Sequence, residues 1–141
     1  MQKFNPENIA IYYKMNKGDL IENFNEYVYL GSDIFIRNKI VKYITDQRRI
    51  KDNMSAEDIK SMFKDIPDAV KNKEFDIENP NPSIKSPGSR LVGKFYPEKN
   101  KGLLVVKDKD GNIIDVSSPE IGEILNAFYR KSKEFNKLKN D

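Results

Sequence analysis

The 141-residue chain is predicted to be α+β: N-terminal helices, then a three-stranded antiparallel β-meander, then a C-terminal amphipathic helix. Three observations predict this. Up to about residue 75, apolar side chains recur mostly at three- and four-residue intervals, the period of a half-buried helix. After residue 90 the period falls to two, as in a strand with one buried face. Asp110-Gly111 then stands between apolar runs, a strong hairpin signal because both residues tolerate positive φ. The length suits a single domain. Residues 1–75 are read as mainly helical, 76–89 as a proline-rich loop, 90–116 as the meander and 118–138 as the last helix.

In chain order, Asn5-Pro6-Glu7 has the form of an N-cap with proline in the first helical turn, opening a short helix to about Met15. Asp19 starts a second, with Leu20, Ile21, Phe24, Tyr27 and Val28 as its apolar stripe; Tyr27–Leu30 fits a short strand equally well. Gly31-Ser32-Asp33 is a break and a cap, followed by a helix to about Arg49 that buries Ile36, Ile40, Val41 and Ile44. Its opposite face carries Lys39, Lys42 and Arg49. Ser55 caps a helix holding Ile59, Met62 and Phe63, with Glu57 and Asp58 in the first turn to suit the dipole. Pro67 is expected to interrupt it, with a further turn or two through Val70. The prolines of 76–89 predict an extended surface loop. Strands follow at 90–96, 103–107 and 112–116. Ser117 or Ser118 caps the final helix, and Ser117-x-x-Glu120 fits a capping box. Ile121, Ile124, Leu125, Phe128, Phe135 and Leu138 mark its buried face.

Composition removes whole classes of chemistry. The chain has no cysteine and no histidine. Disulfides, thiol chemistry, imidazole bases, His-containing zinc sites and the common nucleophilic triads are therefore excluded. No cofactor and no metal are expected. Asp108-x-Asp110-Gly111 fails as a calcium loop: with Gly111 at loop position six, Val106 and Ser117 fall where acids are needed. No apolar run approaches a membrane span, and the N-terminus lacks the apolar core of a secretory signal, so a cytoplasmic protein beginning at its own Met1 is expected.

Net charge is +3 but unevenly spread. Arg37, Lys39, Lys42, Arg48, Arg49 and Lys51 stand against Asp46 alone. Arg130, Lys131, Lys133, Lys137 and Lys139 stand against Glu134. Patches at 37–51 and 130–139, with Tyr43 and Tyr129 nearby, could contact RNA phosphates, through Lys39, Lys42, Arg48 and Arg49 in the first. The alternative is solvated helix faces.

From Gly88 to Pro119 the sequence shows a strand ending in Phe95-Tyr96-Pro97, a turn at Asn100, a strand, the Asp110-Gly111 hairpin and Ser117-Ser118 before proline. That order resembles the end of toxin domains of the barnase–EndoU–colicin–RelE superfamily, whose N-terminal part is also helical. Many members carry a catalytic histidine that this chain lacks; others cleave RNA with Lys, Arg and Asp. The resemblance implies metal-independent cleavage by a 2′-OH on the adjacent phosphate, with cations stabilising the pentacoordinate dianion. Lys39, Lys42, Arg90, Lys94 and Lys107 would supply charge, Tyr96 an acid or a stacking ring, and Ser118 the hydroxyl before proline.

Two functional expectations compete. The first is a small non-enzymatic protein-binding factor of a mobile element or toxin system, of the immunity or host-factor-inhibitor type. The alternative is the ribonuclease toxin. The absence of His and Cys and of any evident catalytic constellation favours the first.

Overall fold

Asn5 opens the described chain as expected: its side-chain oxygen accepts the Glu7 N–H at 3.1 Å, and Pro6 lies in the first turn. The computed structural model describes residues 3–16, 19 and 23–128. Leu20, Ile21, the 130–139 basic patch, Phe135 and Leu138 lie outside the described residues, as does the side chain of Phe128. The chain divides into two units, Met1–Pro67 and Asp68–Asp141.

In the first unit a short 3₁₀ turn (Pro6–Asn8) leads into α1 (Ile9–Lys14), which buries Ile9 and Tyr12. Of the two readings open for Tyr27–Leu30, the strand is the one that forms: β1 (Tyr27–Gly31) pairs antiparallel with β2 (Ile34–Arg37). The helix expected from Asp33 therefore begins only at Asn38, as α2 (Asn38–Lys51). Ser32 and Asp33 both take positive φ, 52° and 62°, the geometry of a two-residue hairpin turn whose twist matches the strands. Ile34 and Ile36 are buried while Phe35 is exposed and Arg37 half-buried, a period of two that the Ile36/Ile40 spacing disguised. α3 (Ala56–Lys71) is capped by Ser55, whose hydroxyl accepts the Asp58 N–H at 3.1 Å. It runs through Pro67 without a break. Ile59, Met62, Phe63, Ile66 and Ala69 form a continuous buried stripe. Fully burying each large apolar side chain contributes about 1.5–3 kcal/mol, enough to offset the single backbone hydrogen bond that proline forgoes.

The second unit holds a four-stranded antiparallel sheet in the order β3 (Phe75–Glu78), β4 (Arg90–Tyr96), β5 (Lys101–Lys107), β6 (Ile113–Ser117). The expected three-stranded meander is only part of this sheet: β3, which the sequence places mostly in the 76–89 loop, adds a fourth strand. Phe75 and Ile77 point inward, Asp76 and Glu78 outward, and β3 pairs with β4 in the register Phe75↔Gly93 to Glu78↔Arg90. The loop is thereby shortened to 79–89, and its base is closed by Asn79 N–H on the Ser89 carbonyl at 3.0 Å. The turn between β5 and β6 also differs from expectation. Gly111 alone takes positive φ (87°), and Asp108 is the closing residue. The Asp108 Oδ1 accepts the N–H groups of Asp110 and Asn112 at 3.0 and 2.9 Å. This is a three-residue turn with a bulge, and the register slips between Val106 and Lys107 accordingly.

α4 (Ile121–Phe128) lays Ile124 on Phe75, Ile77 and Leu91. The Ser117 capping box does not form. Ser117 ends β6, Ser118 donates its hydroxyl to the Gly102 carbonyl at 3.1 Å, and Glu120 pairs in a bridge with Lys101. The helix begins after these contacts because the backbone of 118–120 is held against β5. Gly122 sits in α4 with open space where a Cβ would go. Gly122→Ala is therefore expected to raise stability by about 0.5–1 kcal/mol, by cutting the entropy that glycine loses in a helix; an unchanged or lower urea midpoint would show that the helix does not form as described. No helix among the described residues is long and apolar enough to cross a membrane.

Candidate functional site

Strand alternation places Arg90, Val92, Lys94 and Tyr96 of β4 on one face of the sheet. The last turn of α3 supplies Asp68, on which three donors converge. Lys94 Nζ and Tyr96 OH each donate to Oδ2 at 2.9 Å, and Asn72 Nδ2 donates to Oδ1 at 2.8 Å. Lys94 and Lys99 lie 5.5 and 5.7 Å from the Tyr96 ring centroid. The hydrogen bonds from Asn72, then Lys94 and Tyr96, pull the Asp68 carboxyl down from 3.8 to about 2. Lys94 is in turn raised, chiefly by its bond to Asp68. Asp68 is thus an anion at neutral pH with both oxygens engaged, a strong acceptor and a poor proton-abstracting base.

The sign of the pH effect follows. A depressed carboxyl contributes its stabilisation in full above its ordinary value and loses it as pH falls through the folded-state value. The wild type is expected to lose stability between about pH 4 and pH 2 through this group. Asp68→Asn should show a shallower fall across that window when melting temperature is followed against pH. With side chains 28% and 39% exposed, the Lys94–Asp68 pair should also weaken in salt. Parallel pH profiles for the two proteins would rule this role out.

The five residues of 90–118 proposed for RNA cleavage do not converge. Lys94 and Tyr96 share Asp68. Arg90 donates through Nε to Asp76 Oδ1 at 2.7 Å and through Nη2 to the Asp76 carbonyl at 2.9 Å, with Lys73 on the other carboxylate oxygen at 3.2 Å. Burial pushes the Asp76 carboxyl up, but Arg90 and Lys73 together outweigh it and the net shift is downward. Lys107 stands directly opposite Arg90 across the β4–β5 pair. Arg90 lies four residues from Lys94, about 13 Å along the strand. Ser118 is held by the Gly102 carbonyl.

Of the four residues proposed for nucleic-acid contact, Lys42 is buried and donates to both oxygens of Asp46 at 2.9 and 2.8 Å. Arg48 is buried and pairs with Asp52. Arg49 lies 3.7 Å from Asp46 and over the Tyr13 ring. Lys39 alone of the four forms no ion pair among the described residues; it lies over Phe24. Sequence reasoning missed Asp68, because a helix interrupted at Pro67 gives no indication that its next carboxylate meets a strand a full element away. The Asp68/Asn72 spacing of one helical turn was the available signal. Among the described residues, no group of three or more acids is placed to hold a metal ion. Comparison with protein families, curated proteins and solved structures finds no match to this chain.

Proposed function

We propose that this protein is a non-enzymatic protein-binding factor of the immunity or host-factor-inhibitor kind. The observation that carries the reading is where its exposed apolar side chains lie. Of six large exposed hydrophobics among the described residues, Ile11, Phe24, Phe35, Tyr43 and Ile50 fall within Met1–Pro67, and only Ile84 falls beyond it. A small protein that leaves so many apolar groups in water on one unit, interspersed with charge, has the composition of a binding surface. The expected result is a stable stoichiometric complex with one protein partner, isolated from the native host and verified with purified components. A chain that stays alone at native expression would sink the reading.

A second reading, the metal-independent ribonuclease, is favoured by one observation, the meeting of Lys94, Tyr96 and Asp68. Incubation of purified protein with total RNA in EDTA separates the two. The binding reading expects intact RNA; cleavage that disappears in Lys94→Ala would establish the ribonuclease.

A further inference from the structure

We infer that the outer face of the β1–β2 hairpin docks an acidic, apolar-bearing segment of a partner protein. The inference rests on the binding reading above and specifies the surface and the chemistry of what it takes. Alternation puts Val28, Ile34 and Ile36 on the inner face and Tyr27, Tyr29, Phe35 and Arg37 on the outer one. Ile34 and Ile36 are buried, whereas Phe35 is 43% exposed and Phe24, just before β1, 44%.

Two kinds of contact pre-arrange this face. Tyr29 and Phe35 pack ring to ring with centroids 5.1 Å apart and planes tilted by 44°. The Arg37 guanidinium lies 4.3 Å over Tyr27, and Lys39 Nζ lies 5.9 Å over Phe24. Arg37 is further pinned by donating through Nη1 to the Asn25 carbonyl at 2.6 Å. Neither Arg37 nor Lys39 has a carboxylate within ion-pair distance among the described residues, and the exposed neighbours Glu26 and Asp33 pair with neither.

Aromatic rings and arginine supply large contact area at low entropic cost and dominate interface energetics. Two positioned cations without carboxylate partners among the described residues call for carboxylates from a bound segment. A single-stranded nucleic acid would need open ring faces for base stacking. Here each ring already has another ring or a cation against it, which presents edges and charge. An acidic protein segment is the better complement.

The test uses the full chain and three fluorescein-labelled probes read by anisotropy: a short peptide alternating Glu and Leu, its Lys–Leu counterpart, and a short oligouridylate. The Glu–Leu peptide is expected to bind most tightly. The double variant Arg37→Glu/Lys39→Glu, and separately Phe35→Ser, should weaken it about tenfold or more. Ile84→Ser, at a still more exposed apolar position in the other unit, should leave affinity unchanged. Phe35 and Ile84 are exposed and Arg37 and Lys39 half-buried, and circular dichroism with melting curves verifies that each variant folds. Equal affinity for the two peptides, preference for oligouridylate, or indifference to the hairpin variants would each overturn the assignment. A native complex that survives the hairpin variants would sink this surface and leave the binding reading standing. Peptide binding through the hairpin by a chain with no native partner would sink the binding reading instead.

Discussion

Gly93→Ala is expected to cost about 3 kcal/mol or more of stability, a severe loss for a one-carbon change. Gly93 lies in β4, between β3 and β5, opposite Phe75 on one side and Leu104 on the other. A Cβ there would stand 1.9 Å from the Leu103 carbonyl oxygen and 2.7 Å from Phe75 Cζ. The carbonyl belongs to the β5 backbone and cannot retreat without opening the β4–β5 ladder. The Phe75 ring is buried with Ile77, Leu91 and Ile124, so it has nowhere to swing. Gly102 offers the contrast. Its added Cβ would meet Ile124 Cδ1 at 2.4 Å, the far end of a flexible side chain that can change rotamer. Gly102→Ala should therefore be the milder of the two. Urea midpoints of the two variants against wild type decide the matter. A Gly93→Ala protein within about 1 kcal/mol of wild type would mean that the strands lie farther apart than described.

Asp46→Ala is expected to destabilise by about 3–5 kcal/mol, because it strands a buried ammonium. The Lys42 and Asp46 side chains are each 7% exposed and bonded to one another along one turn of α2. Lys42 Nζ has one further acceptor, the Met15 carbonyl at 3.3 Å. Removing the carboxylate leaves the positive charge desolvated with that single acceptor, and also takes the anion from Arg49. The desolvation argument makes a second demand. The double variant Lys42→Met/Asp46→Leu removes both charges and fills similar volume, so it should recover most of the loss. Thermal unfolding of Lys42→Met, Asp46→Leu and the double, against wild type, forms a complete cycle. A double variant no better than Asp46→Ala would show that the pair does more than cancel charge.

This buried pair bears on how the basic run at 37–51 is understood. On a linear reading, six cations against one acid form an exposed positive surface. Folding divides them. Lys42 and Arg48 turn inward to carboxylates one helical turn away, while Arg37 and Lys39 stay at the surface over rings. The i,i+4 spacings of Lys42/Asp46 and Arg48/Asp52 were visible in the sequence as helix-surface pairs. Their burial was not, since it depends on what packs over α2. The candidate site has the same history. Lys94 and Tyr96 were singled out by their place on a strand, and the carboxylate that joins them sits a full element away in the chain.

The residues alone determined what is settled by near neighbours: the Asn5 and Ser55 caps, the strands that follow residue 90, the turn at Asp110-Gly111, and the chemistry excluded by the lack of His and Cys. Each depends on contacts spanning a few positions or on composition. Tertiary structure was needed for β1, β2 and β3, for the passage of α3 through Pro67, and for the displaced start of α4. In each case a local preference met a distant partner. Ile36 and Ile40 keep helical spacing, yet pairing with β1 makes Ile34–Arg37 a strand and leaves only Ile40 in α2. Phe75 and Ile77 gain a sheet partner in β4 that no window of a dozen residues contains. Pro67 gives up a hydrogen bond, and the buried stripe from Ile59 to Ala69 holds the helix through it. Burial energy summed over many side chains outweighs a propensity of about 1 kcal/mol or less per residue, and such burial becomes visible only when the chain is folded.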